Sequence, residues 1–161
     1  MQAIRLLGDG TIPNNPRLAV LLHRAAIANP SEQRAKALFQ QHGWRPAWTD
    51  TIDEAVHYHS TAHEALAVVS GHVRARLGGR HGMVVELHAG DVVVLPAGIG
   101  HENLAHSPDL QVVGAYPPGQ EADMRGPSRE GHDLDRARIA NLPDPPCDPV
   151  TGQPYPPAPR H

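Results

Sequence analysis

The chain of 161 residues contains one cysteine, Cys147, so no disulfide can close within it. Aromatic residues are scarce at 4%, which leaves Val, Leu, Ile and Ala to build most of the core. Neither sign of charge dominates. Fourteen Lys and Arg face 17 Asp and Glu, and the net charge of -3 gives no electrostatic footprint for nucleic acid or an acidic membrane surface. Long apolar runs are missing too. The longest, at 18–27, is interrupted by His23 and Arg24 and is too short to cross a bilayer. The N-terminus lacks the basic stretch followed by an apolar core that a signal peptide needs. A cytoplasmic enzyme or binding protein, with no nucleic-acid or membrane partner, is the expectation.

What the chain does have is histidine, 12 of them, and glycine and proline in quantity. The length suits a single domain over 1–161, large enough to bury a core. Residues 1–16 read as a short apolar start followed by turns, Gly8-Asp9-Gly10 and Pro13-Asn14-Asn15-Pro16. Residues 18–23 suit a buried strand, since so short a run shows no 3.6 period. One helix follows within 28–43. Asn29 is placed to cap it, Pro30 to open it and Glu32 to reach back as the capping-box acid. Ala35, Leu38, Phe39 and His42 recur at helical spacing, and Gly43 ends the last turn.

From Trp44 onward the pattern changes. Short runs at 55–59, 63–70, 72–77, 83–87, 92–95 and 110–116 are separated by Gly71, Gly78-Gly79, Gly82, Gly90-Asp91 and Pro96-Ala97-Gly98. Short strands at regular spacing between Gly and Pro turns predict a sandwich or barrel, with its core over 47–116. The extension at 117–161 holds a short helical stretch at 133–141 with Asp133 as a cap. A proline-dominated tail follows, expected to be extended along the barrel or disordered. Cys147 lies in that tail and reads as an incidental free thiol.

The chemistry concentrates at H-Y-H-S-T-A-H-E, residues 57–64. In an extended chain residues two apart share a face, so His57 and His59 point one way and Tyr58 the other. After a turn at 60–62, Glu64, Leu66 and Val68 share one face and His63 and Ala65 the opposite one. Only one of His63 and Glu64 can then look into the interior that the two histidines face. Two imidazoles and a carboxylate suit a divalent ion such as Fe, Mn, Ni or Zn. His101 completes a set of three His and one Glu if the turn at 96–100 returns its strand beside the first. Such a set fills four positions of an octahedron and leaves two adjacent ones open, as a catalytic site requires. Asn103 shares a face with His101 and is a candidate to hold that ring.

In a chain this rich in histidine, one His-x-His arises easily from composition. The joint pattern is more specific. His57-x-His59, Glu64 and Gly71 resemble the first motif of the cupins, and Gly90, Pro96-x-Gly98 and His101 resemble the second. The resemblance implies a mainly β, jelly-roll barrel with His57, His59, Glu64 and His101 as metal ligands. It also implies a small-molecule ligand and admits a homodimer. Thr51 stands where a glycine is usual, and Ala105 where an asparagine is expected, with Asn103 two positions earlier. His63 is additional. It can be an outward-facing residue, a neighbour that assists the ligands or an alternative ligand, and the outward orientation ranks first. The segments D-G-T-I-P-N-N-P, P-A-G-I-G-H-E-N-L, V-V-G-A-Y-P-P-G-Q and D-P-V-T-G further resemble an uncharacterised bacterial branch, the YjlB-like cupins.

Two functions follow from that resemblance. One is an enzyme acting on a small oxygenated metabolite, dioxygenase-like or isomerase-like, with Asn103, Tyr116 and Trp48 in the pocket wall. The barrel would then be capped by the helix-bearing N-terminal segment and the tail. The other is a non-catalytic cupin that binds a small ligand or a metal. A metal-free scaffold would show an eroded ligand set, whereas this one is intact.

Overall fold

Apolar runs such as those at 18–22, 65–69 and 92–95 belong in a sheet that is covered on both faces. The computed structural model, which describes residues 1–129 and 132–160, has such a sheet. In chain order its elements are β1 (Gln2–Leu6), β2 (Asn15–His23), α1 (Glu32–Gln41), β3 (Arg45–Asp50), β4 (Glu64–Ser70), β5 (His72–Leu77), β6 (Met83–His88), β7 (Val92–Leu95), β8 (His101–His106), β9 (Gln111–Tyr116) and α2 (His132–Asn141). Six strands form one antiparallel sheet in the order β1-β2-β7-β4-β9-β3, and three form the other in the order β6-β5-β8. The fold is mainly β, as the Gly- and Pro-punctuated runs predict.

The alternation along each strand divides the core in two. Val20, Leu22, Leu66, Val68, Val93, Leu95 and Val112 face the small sheet, where they meet Val73, Ala75, Leu77, Val85 and Leu87. Their neighbours Ala19, Leu21, Ala65, Ala67, Val92, Val94, Val113 and Ala115 face outward and pack under Ala35, Phe39 and Trp44. Alanine at four of those outward positions leaves room for the large rings of Phe39 and Trp44. The helix therefore covers the outer face of the large sheet and does not cap the barrel.

The helix starts later than the sequence suggests. Ser31, not Asn29, is the cap, because its Oγ accepts from the Arg34 N–H at 3.1 Å. Asn29 instead takes a left-handed turn with φ 48°, and Pro30 precedes the helix. Glu32 accepts from Lys36 and from Thr49 rather than reaching back. Residues 55–59 do not form a strand. His57 bridges to His101 while Tyr58 bridges to Arg125, and with partners on two different segments neither ladder extends. β1 and β3 were not expected from the sequence. Both are edge strands, and β3 tolerates Pro46 because an edge does not require every N–H.

The proline-rich tail is seated, not disordered. The Trp44 indole N–H donates to the Cys147 carbonyl, the Tyr155 hydroxyl to the Ala19 carbonyl and the Ala158 N–H to the Arg17 carbonyl. The Cys147 thiol donates to the His42 carbonyl, and burial pushes its pKa up, so it stays a protonated packing group. Asp148 lies 2.9 Å from the His23 ring, with both side chains buried. Burial alone would raise the Asp148 pKa. The His23 hydrogen bond and the Val150 N–H outweigh burial and hold it below its usual value.

A carboxylate with a depressed pKa stabilises the fold above its unfolded pKa and loses that contribution as pH falls through the folded value. Asp148→Ala is expected to cost about 2 kcal/mol, because the buried His23 ring and the Val150 N–H lose their acceptor. Denaturant titration at neutral pH measures that loss, and the gap between variant and wild type should narrow only as pH falls through the folded value, below the ordinary carboxylate pKa.

Candidate metal centre

The residues of H-Y-H converge on the interior because their backbone is tied from both sides. His57 and His101 exchange backbone hydrogen bonds at 3.1 and 2.9 Å. Tyr58 and Arg125 do the same at 2.9 and 3.0 Å, on the opposite edge. The Tyr58 side chain points away from the cluster, and its hydroxyl donates to Asp135 of α2 at 2.6 Å. Asp135 is itself held by Arg125 and Arg138. The parity read from the sequence thus sends His57 and His59 inward and Tyr58 outward.

His57, His59 and His101 each offer a ring nitrogen, and these atoms lie within 4.8 Å of one another. In every ring Nδ1 donates to a backbone carbonyl: His57 to Ala55, His59 to Asp123 and His101 to Ile99. A neutral ring that donates from Nδ1 presents a lone pair at Nε2. The three Nε2 atoms are therefore turned inward by their second-nitrogen contacts. Glu64, at the start of β4, points to the same spot, and one of its oxygens lies 3.3 Å from His59 Nε2 and 3.4 Å from His101 Nε2.

Lone pairs facing a carboxylate repel unless a proton or a cation lies between them. The electrostatics reflect this. Burial would raise the Glu64 pKa, but His101 and His59 outweigh it and hold the carboxyl well below its usual range. Burial would lower His59, yet its hydrogen bond to Glu64 and the carboxylate charge raise it. His57, which is not bonded to Glu64, is lowered to about 4 by burial and by the neighbouring His101 and His59. One buried carboxylate beside three Nε2 donors has the chemistry that a borderline divalent cation fits.

His63 lies outside this group, on the outer side of the sheet, and is nonetheless buried. Its Nδ1 accepts from the Ala97 N–H at 2.9 Å and its Nε2 faces the Pro143 carbonyl at 3.0 Å. Burial lowers its pKa to about 4, so the ring is neutral, accepting at Nδ1 and donating at Nε2. Asn103 does not hold His101. Its amide donates to the Ile52 carbonyl and lies 2.9 Å from His106, because the carbonyl of Ile99 already occupies His101 Nδ1. Thr51 and Ala105, the two departures from the motifs, are both exposed and leave the four inward side chains in place.

The turn at 96–100 that delivers His101 is gripped from several directions. Asn14 accepts from the Gly100 N–H and donates to the carbonyls of Leu7 and Gly78. Asn15 donates to the Ala97 carbonyl, and the Gly98 N–H donates to the His59 carbonyl. Gly98 has φ 94°, and a Cβ there would lie 2.4 Å from the Asn14 carbonyl oxygen. The Asn-Asn pair in the N-terminal turn was thus a site signal that local reading left as a turn. The contributions of Ala55, Ile99 and Asp123 are backbone carbonyls, which carry no side-chain signature. Asp123 also accepts from Ser60 through its carboxylate.

A cavity of about 220 Å³ opens on the cluster, lined by Trp48, Ile52, Leu66, Tyr116 and Met124 among others. It is smaller than the roughly 300–1,000 Å³ usual for drug-sized ligands, which restricts it to small molecules. Trp48 and Tyr116 are in the wall as expected and Asn103 is not. The Trp48 indole N–H donates to the Tyr116 hydroxyl at 3.0 Å. Burial first, and then the charge of Glu64, push the Tyr116 pKa up, so the phenol keeps its proton. Gly114 makes the pair possible, since a Cβ there would sit 2.1 Å from the Trp48 ring.

Two substitutions test this framework. Gly114→Ala should expel the Trp48 ring from its seat, cost about 1–3 kcal/mol and shift the indole N–H resonance. His63→Ala should cost about 2 kcal/mol by leaving the buried Ala97 N–H without its acceptor, while the Pro143 carbonyl keeps its bond from Gln120. Chemical denaturation reads both.

A family model described as "Cupin domain" matches residues 49–113. The uncharacterised protein YjlB of Bacillus subtilis is 35% identical over 147 residues, 90% of this chain and 87% of that protein. Among solved structures, a DUF861 family protein from Thermotoga maritima aligns with a TM-score of 0.37 at 20% identity, over 59% of this chain and 96% of its own. Vicilin from Solanum lycopersicum aligns with a TM-score of 0.41 at 16% identity, over 88% of this chain and 40% of its own.

Proposed function

This chain belongs to the cupins, in the branch that includes YjlB, and from that premise we propose that it is a metal-dependent enzyme acting on a small oxygenated metabolite. Its four ligands are His57, His59, Glu64 and His101. The observation that carries the reading is the common orientation of the three rings, each with Nδ1 on a backbone carbonyl and Nε2 directed inward beside a buried carboxylate. Four protein ligands would leave room on a bound divalent ion for an exogenous molecule, and the cavity is where that molecule would enter. A bound Fe, Mn, Ni or Zn ion would supply Lewis acidity toward the oxygens of a substrate, and Fe or Mn would add redox capacity.

The chain's own residues set the conditions for that chemistry. Leu66, Ile52 and Trp48 keep the inner wall apolar and limit water. Tyr116, protonated and near Glu64, is placed to donate a hydrogen bond to a developing negative charge on a bound oxygen. The chemistry fits dioxygenase-like or isomerase-like turnover. The whole chain, 1–161, acts as one cupin domain in this reading. No described helix is long and apolar enough to cross a membrane. The reading takes the enzyme as cytoplasmic and admits a homodimer.

Metal analysis of protein purified without chelators is expected to find about one ion per chain, and His101→Ala should lower that well below one. Unchanged metal content in His101→Ala would overturn the ligand assignment. Screening the loaded protein against diols, enediols, keto acids and sugars should find turnover that Glu64→Ala abolishes. A full metal complement with no turnover would make the chain a binding protein instead.

A further inference from the structure

The wall of the cavity carries a charge pattern that the metal centre does not require. Asp50 and Asp53 line it, both exposed and so at its mouth, and no Arg or Lys does so among the described residues. Arg45 and Arg125, each adjacent in the chain or the sheet to a lining residue, are otherwise engaged. Arg45 donates to the Gln120 carbonyl, and Arg125 pairs with Asp135 and Asp123. Asp50 accepts one bond from the Thr51 N–H through Oδ1. Between mouth and centre the wall carries the apolar Ile52 and Leu66 together with Trp48 and Tyr116, and the exposed Met124 stands at the mouth.

A molecule that places oxygen donors at the centre and extends to the mouth meets these two carboxylates there, beside Thr51 and Met124. A carboxylate or phosphate at that end would be repelled, and it would find no guanidinium fork to replace its lost hydration. An amine would be attracted. Resting on the metal-site reading above, we infer that Asp50 and Asp53 make the pocket selective for small ligands whose outer end carries an amine and against those whose outer end is anionic. The two aspartates are thus specificity-determining residues, although neither belongs to the cluster of histidines.

The test holds the metal-facing group constant and varies the outer charge. Dopamine and dihydroxyphenylacetate share a catechol head and differ in carrying an ammonium or a carboxylate. Their dissociation constants are measured by following the Trp48 indole N–H resonance, at low ionic strength, in Zn(II)-loaded and in metal-free protein. The amine is expected to bind at least about fivefold more tightly, a preference that salt should weaken. In Asp50→Asn/Asp53→Asn, whose positions are exposed, the preference should fall toward one. A preference at or below one in the wild type, or one that survives unchanged in the double variant, overturns the inference. If Zn(II) fails to bind, the metal reading fails, while the ratio measured in metal-free protein still decides this one.

Discussion

Three imidazole lone pairs and a carboxylate turned toward one point in a protein interior repel one another unless a proton or a cation lies between them. The arrangement survives because each imidazole is fixed at its far side. The carbonyls of Ala55, Asp123 and Ile99 take the Nδ1 protons, which sets one tautomer for all three rings and leaves Nε2 no direction but inward. Much of the remaining architecture serves to hold those three carbonyls, and the turn that brings His101, in register.

That service comes from parts of the chain far apart in sequence. The N-terminal Asn14 and Asn15 grip both ends of the 96–100 turn. His63 holds the same turn from outside through the Ala97 N–H and ties it to the C-terminal extension at Pro143. Asp123 fixes His59 and Ser60, while Asp135 in α2 anchors Tyr58 between the two inward histidines. Asparagine, histidine and aspartate are used here for directional bonds across segments, where an apolar contact would fix distance but not orientation.

Coverage of the large sheet works at a second level. Because α1 and the tail bury its outer face, β2, β4 and β7 are apolar on both sides, and the polar residues among them stand out. Glu64 is one, at the start of β4, where it turns inward beside His59 and His101. The cavity beside it is small, and at its mouth Asp50 and Asp53 give the entrance a sign.

The strand alternation, the glycine turns and the two motifs made much of this legible from the amino-acid order. Parity along 57–68 put His57, His59 and Glu64 on inward faces and set His63 apart, since extended backbone alternates whatever surrounds it. It also put Tyr58 outside. Tertiary structure decided what depends on meeting across the chain. Asn103 turned to Ile52 and His106 rather than to His101, a choice made by which acceptor lay nearest the ring. The helix settled on the sheet's outer face because alanines there admit Phe39 and Trp44. The prolines of the tail did not keep it from the surface, since a segment without many N–H donors can still be held by its carbonyls and by Tyr155. Local sequence specifies which way a side chain points along its own strand. Which partner it finds there is a property of segments joined by the fold, and backbone carbonyls, the partners that matter most here, are present at every residue and so mark none.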